Sequence, residues 1–220
     1  MWFILAALVF AVLAGLATWK THRGLEFIAK PAVMAVLFVY LWTSTGLSGA
    51  SLWFGLGILF SLVGDVLLLW LDRLFIYGLA AFLLAHIFYI VGFNSLTSTV
   101  SIWGLLLAFI IGLGGLRIMR RILSALAETG QARLRGPVAV YGVVISLMLL
   151  SAMLKLTDPA WGAGASLLVA LGAFLFYLSD IVLAWNKFVS PIQNGRVLNI
   201  ALYHLGQIML VAGVVLQFLR

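Results

Sequence analysis

The chain carries six acidic residues in 220 positions, and two of them, Asp65 and Asp180, fall inside long apolar runs. Glu26, Asp72, Glu128 and Asp158 lie in loops or at helix ends and need no special account. An ionisable side chain within a membrane segment costs about 2.5 to 3.5 kcal/mol on insertion scales, so it marks a functional site by default. Each Asp lies seven residues from the expected cytoplasmic end of its run, at Asp72 and Lys187. At ~1.5 Å per residue both sit ~10 Å deep, and equal depth on two segments is more than helix packing alone requires. Two carboxyls in a low-dielectric site can divide acid and base roles, one carrying a proton while the other stays ionised.

Other polar residues gather at similar levels. His204 lies eight residues beyond Arg196, ~12 Å below the same surface, with Asn199 shallower and Tyr203 adjacent. These can border the Asp pair. His86, thirteen residues beyond Arg73, is ~20 Å deep, where it is either a buried interhelical hydrogen-bonder or a member of the site. Lys30, Asn186 and Lys187 mark the cytoplasmic rim, where a phosphate can be held, although snorkelling is the commoner task for such lysines. Asp65 and Asp180 are thus the candidate functional pair. Lys30, His86, Tyr177, Asn186, Asn199, Tyr203 and His204 are the candidate substrate contacts. Two His and two Asp could bind a metal in principle, but their differing depths argue against a single tight site, and no metal or other cofactor is expected.

The runs that position these residues must be helices. Hydrophobic residues make up 65% of the chain and charged residues 9%, against roughly 25% charged in soluble domains. Apolar runs of about 20 residues, enough to cross a ~30 Å hydrocarbon core, recur from end to end. They lack the period-2 alternation of a membrane β-strand, and a lipid-exposed backbone must satisfy its own hydrogen bonds. The expected fold is an all-α polytopic membrane protein, a single integral domain over 1–220. Its eight transmembrane helices are expected at about 2–19, 30–45, 52–71, 74–93, 100–118, 137–154, 162–185 and 197–219. The second is short, and Pro31 and Pro137 fall near helix starts, where a missing N–H costs nothing. The first run lacks the basic flank of a cleavable signal peptide and reads as a retained helix. With no cysteine, disulfides and thiolate metal sites are excluded.

The net charge of +7 reflects orientation rather than nucleic-acid binding, because Lys and Arg sit in short segments between apolar runs. Eleven of the thirteen fall in the loops after helices one, three, five and seven, and only Lys155 and Arg220 on the other side. The positive-inside rule then places both termini outside the cytoplasm. The longest loop, Arg117 to Gly136, is expected on the cytoplasmic side. Its Arg117, Arg120 and Arg121 share a helical face, which fits an interfacial segment near anionic lipid; a topology-fixing basic loop is the plainer reading.

The chain also echoes itself. Gly64-Asp65-Val66-Leu67-Leu68-Leu69-Trp70 parallels Ser179-Asp180-Ile181-Val182-Leu183-Ala184-Trp185, and each Asp is followed on the next helix by a His and preceded on the helix before by a Pro. These matches suggest two four-helix halves, 1–100 and 101–220, related by a pseudo-two-fold axis along the membrane normal. Asp65 and Asp180 would then face each other near that axis.

With Lys30-Pro31 opening helix two, Gly64-Asp65 in helix three, His86 with Tyr89 in helix four, Ser179-Asp180 in helix seven and Tyr203-His204 with Gln207 in helix eight, the chain resembles the YhhN-like transmembrane lysoplasmalogenases over nearly its whole length. The resemblance implies an eight-helix enzyme that cleaves the vinyl ether bond of lysoplasmalogens. Products would be a fatty aldehyde and glycerophosphocholine or glycerophosphoethanolamine, with Asp65 and Asp180 as the catalytic pair. A bacterial inner membrane is the expected location, with a lysophospholipid and membrane lipid as the expected partners and no nucleic acid. Such a substrate would enter sideways from the inner leaflet, headgroup toward the cytoplasmic Lys and Asn residues. The alternative from another class is a small-molecule or lipid transporter with a proton-coupled Asp pair. Most transporters bind at the midplane within broken helices, whereas both Asp residues here are off-centre in runs without obvious breaks.

Overall fold

The computed structural model describes residues 2–95 and 102–219. They form eight helices: α1 (Trp2–Trp19), α2 (Arg23–Thr45), α3 (Ala50–Leu68), α4 (Leu71–Asn94), α5 (Ile102–Glu128), α6 (Arg135–Met153), α7 (Ala163–Phe188) and α8 (Gly195–Phe218). Each carries a stretch long and apolar enough to cross a membrane, and no strand occurs among the described residues. Trp42, Phe109, Leu167 and Leu216 point outward and are more than half exposed. A surface of that kind suits hydrocarbon rather than water, and the chain is an integral membrane protein of the all-α class. The onset expected for the fifth helix near 100, and Arg220, lie outside the described residues.

Two helices reach well beyond their apolar runs. α2 begins at Arg23 rather than near 30, so it is not short, and Pro31 sits inside it rather than at its start. His22 caps its N-terminus, Nδ1 accepting from the Leu25 amide at 3.2 Å, and Glu26 in the first turn suits the positive end of the helix dipole. The Pro31 ring removes the amide donor that would reach the Phe27 carbonyl, a cost that an internal proline always carries. α5 runs on to Glu128, so the segment expected as a loop from Arg117 is helical for its first half. Leu, Arg and Ala there are strong helix formers. Gly130, at φ +73°, ends the run, and the Gln131 amide reaches back to the Leu126 carbonyl at 2.9 Å. Arg117, Arg120 and Arg121 are exposed along this extension.

α3 ends at Leu68 and a two-residue turn leads straight into α4. Asp65 therefore lies in the last turn of its helix, while Asp180 is two turns from the end of α7. The expected equality of depth does not hold when measured from helix ends.

The most extensive contacts are α7 with α8 and α3 with α4. α7 and α8 meet backbone to backbone: a Cβ at Gly172 would lie 2.6 Å from the Gly206 carbonyl oxygen, and one at Gly206 2.8 Å from that of Gly172. Small residues of this kind are how membrane helices gain close packing. Between α3 and α4, Gly64 and Gly92 instead admit the rings of Phe82 and Phe54. Further contacts pair α1 with α2, α5 with α6, α2 with α8 and α4 with α6. α1 also packs along α8, whereas α5 makes no comparable contact with α4 among the described residues and is the least buried of the eight.

Candidate active site

Both sequence-singled aspartates line one cavity of about 420 Å³. Its walls come mainly from α5, α6 and α7, and Lys30, Tyr141, Ser146, Tyr177, Ser179, Asn199 and Tyr203 contribute the other polar surface. The rest is apolar, as in most small-molecule sites.

Asp65 is fully buried and held from two sides. Lys30 Nζ lies 3.2 Å from Oδ1, and the Tyr203 hydroxyl donates to Oδ2 at 2.8 Å. Lys30 reaches it from α2 and Tyr203 from α8. Beside Lys30, Arg196 Nη2 lies 2.9 Å from Glu26 Oε1 and ties the start of α8 to α2. Asp180, partly open to the cavity, accepts from the Tyr141 hydroxyl on Oδ2, and Ser179 Oγ lies 3.3 Å from Oδ1. His86 Nε2 is 3.0 Å from the Tyr141 oxygen and 3.7 Å from Asp180 Oδ2. Asn199 Nδ2 donates to the Ser179 carbonyl at 2.8 Å, fixing α8 against α7 beside Asp180.

Each carboxyl thus takes one partner from the helix preceding its own and one from the last helix of the other half. For Asp65 these are α2 and α8; for Asp180 they are α6 and α4. The ring of Phe176 separates the two clusters, with its centroid 5.2 Å from that of Tyr203 and 4.8 Å from that of His86.

The other candidates divide. Tyr177 lines the cavity, its hydroxyl 3.5 Å from Ser146 Oγ. His86 is buried behind Tyr141 and is not part of the wall. His204 is fully buried beside the Tyr203 ring, has no hydrogen-bond partner on either nitrogen among the described residues and does not border the cavity. Asn186 also stays off the wall; its Oδ1 accepts from the Ile192 amide at 2.8 Å and closes the turn into α8. Lys187 lies over Phe75 and Phe188, 5.1 and 5.9 Å from their centroids, and those two rings do line the cavity.

Sequence reasoning does not single out Tyr141, which joins His86 to Asp180. Its signal is a phenol in an otherwise apolar stretch, Val138 to Ile145, where a buried hydroxyl must find a partner. A second buried chain lies one turn past Asp65: Tyr89 donates to Gln207 Oε1 at 2.9 Å, and Gln207 Nε2 donates to Ser61 Oγ at 3.1 Å. It locks α3, α4 and α8 together without touching the cavity. Among the described residues no group of three or more His, Asp and Glu side chains is arranged to hold a metal.

The model of the YhhN family matches residues 25–214. Lysoplasmalogenase TMEM86B of Mus musculus is 36% identical over 176 residues, covering 80% of this chain and 69% of its own. TMEM86B of Homo sapiens is 29% identical over 213 residues, covering 94% and 82%. The membrane protein YhhN of Escherichia coli is 24% identical over 212 residues, covering 96% and 97%. No solved structure matches the chain. The matched stretch runs from the first turn of α2 into α8 and contains every residue of both acid clusters, so the chain belongs to the YhhN family.

Proposed function

We propose that this protein is a membrane hydrolase that cleaves the vinyl ether bond of lysoplasmalogen-type lysolipids, with Asp65 and Asp180 as its catalytic pair. The observation that carries the reading is two carboxyls on the wall of one apolar cavity, each held by hydroxyl donors. Relatives named lysoplasmalogenase support the reaction class. Vinyl ethers hydrolyse when a proton adds to the outer alkene carbon, leaving an oxocarbenium ion. One carboxyl supplies that proton, and the other, ionised, stabilises the cation, an electrostatic contribution that is usually large. Water adds to the carbon bearing the oxygen and gives up a proton to a carboxylate. The hemiacetal then collapses to the fatty aldehyde and the glycerophospho-alcohol.

Tyr141 and His86 position Asp180, Lys30 and Tyr203 position Asp65, and Tyr177 and Asn199 face the substrate. His204 and Asn186, away from the wall, have structural roles. The matched provision of partners to the two carboxyls supports a pseudo-two-fold between the halves, limited by the unequal packing of α1 and α5. Purified protein supplied with a panel of lysolipids is expected to release aldehyde from vinyl ether species and not from their acyl ester counterparts. Failure on every vinyl ether lysolipid would favour proton-coupled transport.

The distribution of Lys and Arg supports placing both termini outside the cytoplasm, with the Lys30 end of the cavity in the inner leaflet; a bacterial inner membrane is the proposed location. Alkaline phosphatase fused to either terminus is then expected to be active, and a cytosol-restricted reporter inactive. The reverse pattern would move the site to the opposite leaflet.

A further inference from the structure

We infer that the deep half of the cavity, past Asp180, is a slot for one unbranched alkyl chain, and that Gly112 on α5 sets how long a chain it admits. The inference rests on the hydrolase reading for the class of its occupant, a single-chain amphiphile. Beyond Tyr177 and Ser146 the wall is apolar: Ala108, Ile111 and Gly112 from α5 face Leu147 and Leu150 from α6. From Tyr141, which touches Asp180, to Leu150 the α6 axis rises ~14 Å at ~1.5 Å per residue. One leaflet of a ~30 Å hydrocarbon core is ~15 Å thick, so the slot matches one chain of a lipid whose reacting group sits at the carboxyls.

Gly112 is suited to the role. A Cβ there meets nothing within 4 Å, so a larger side chain enters open space rather than a neighbour. Gly115, one turn nearer the acids, is different, because a Cβ would lie 2.9 Å from the Tyr177 hydroxyl and clash with the polar collar itself. Ala108 lies one turn deeper than Gly112 on the same wall, which gives two positions at which to shorten the slot by different amounts.

The test is binding of octanoyl, lauroyl and palmitoyl lysophosphatidylcholine to the intact protein in nanodiscs, by competition against a fluorescent lysolipid. These esters lack the vinyl ether, so binding is read apart from hydrolysis. Gly112→Leu is expected to weaken palmitoyl binding by about tenfold or more, the scale on which apolar pockets reject excess length, and to leave octanoyl binding unchanged. Ala108→Leu should do the same with a longer cut-off. Gly114→Leu, on α5 but off the cavity wall and equally unobstructed, should change none of them. Equal weakening at every length, or no effect of either cavity variant, would overturn the slot. Length-graded binding without aldehyde release would leave the slot standing and remove the hydrolase; aldehyde release with no length effect would do the reverse.

Discussion

Asp65→Asn and Asp180→Asn are each expected to lower aldehyde release by about 10² or more, the usual scale of general acid–base catalysis. The amide has nearly the size of the carboxyl but cannot deliver a proton to carbon at a useful rate or offset a cation. Folding should survive both changes. In Asp65→Asn the amide oxygen can still accept from Tyr203 or Lys30, and in Asp180→Asn from Tyr141. Monodisperse protein by size-exclusion chromatography separates the catalytic loss from a structural one; Asp180→Asn should melt near the wild type, and Asp65→Asn, which takes the carboxylate from beside Lys30, should melt lower but stay folded. Tyr141→Phe is expected to cost less, because it removes a donor to Asp180 and not the acid. Full activity in either well-folded Asn variant would eliminate the two-carboxylate mechanism.

The second large effect is on stability. Asp65 has no exposed side-chain surface, and Lys30, 10% exposed, is the cation beside it. Removing one member of a buried ion pair leaves an uncompensated charge and typically costs about 3 to 5 kcal/mol. Lys30→Met should therefore lower the melting midpoint in detergent, and by more than Asp65→Asn does, because the carboxylate left behind has no exposed surface whereas the Lys30 ammonium keeps some. The double variant Lys30→Met/Asp65→Asn should recover most of the loss, since it removes both charges, while staying inactive. Such non-additivity is what direct contact produces. A Lys30→Met protein as stable as the wild type would show that the pair does not carry that energy.

The positions that sequence brought to the cavity were those whose cost in hydrocarbon is readable from residue type alone. Asp65 and Asp180 interrupt apolar runs, Lys30, Asn199 and Tyr203 lie at matching levels on neighbouring runs, and Tyr177 lies one turn from Asp180 on α7; all six reach the wall. Rotation about a helix axis is not so readable. His204 and Tyr203 are adjacent in sequence, yet only the tyrosine turns toward Asp65, and His86 serves Asp180 from behind Tyr141 rather than facing substrate. Tyr141 stayed hidden because a tyrosine in a membrane helix is ordinary until its hydroxyl is seen to touch a carboxylate. Helix ends erred for a related cause. Hydropathy reports where lipid is, whereas α2 and α5 continue past it, through Arg23–Ala29 and Arg117–Glu128, on propensity and capping.

Hydrolysis of a vinyl ether lysolipid by the wild-type protein in heavy water reads the chemistry most directly. Protonation of the outer alkene carbon delivers one solvent hydrogen to the carbon next to the aldehyde, so aldehyde trapped immediately as it forms should carry a single deuterium there by mass spectrometry. Turnover should also be slower than in light water, because transfer to carbon is the hard step. Aldehyde without deuterium at that carbon would mean that the ether bond breaks by some route other than carbon protonation, and the roles given to Asp65 and Asp180 would fall with it.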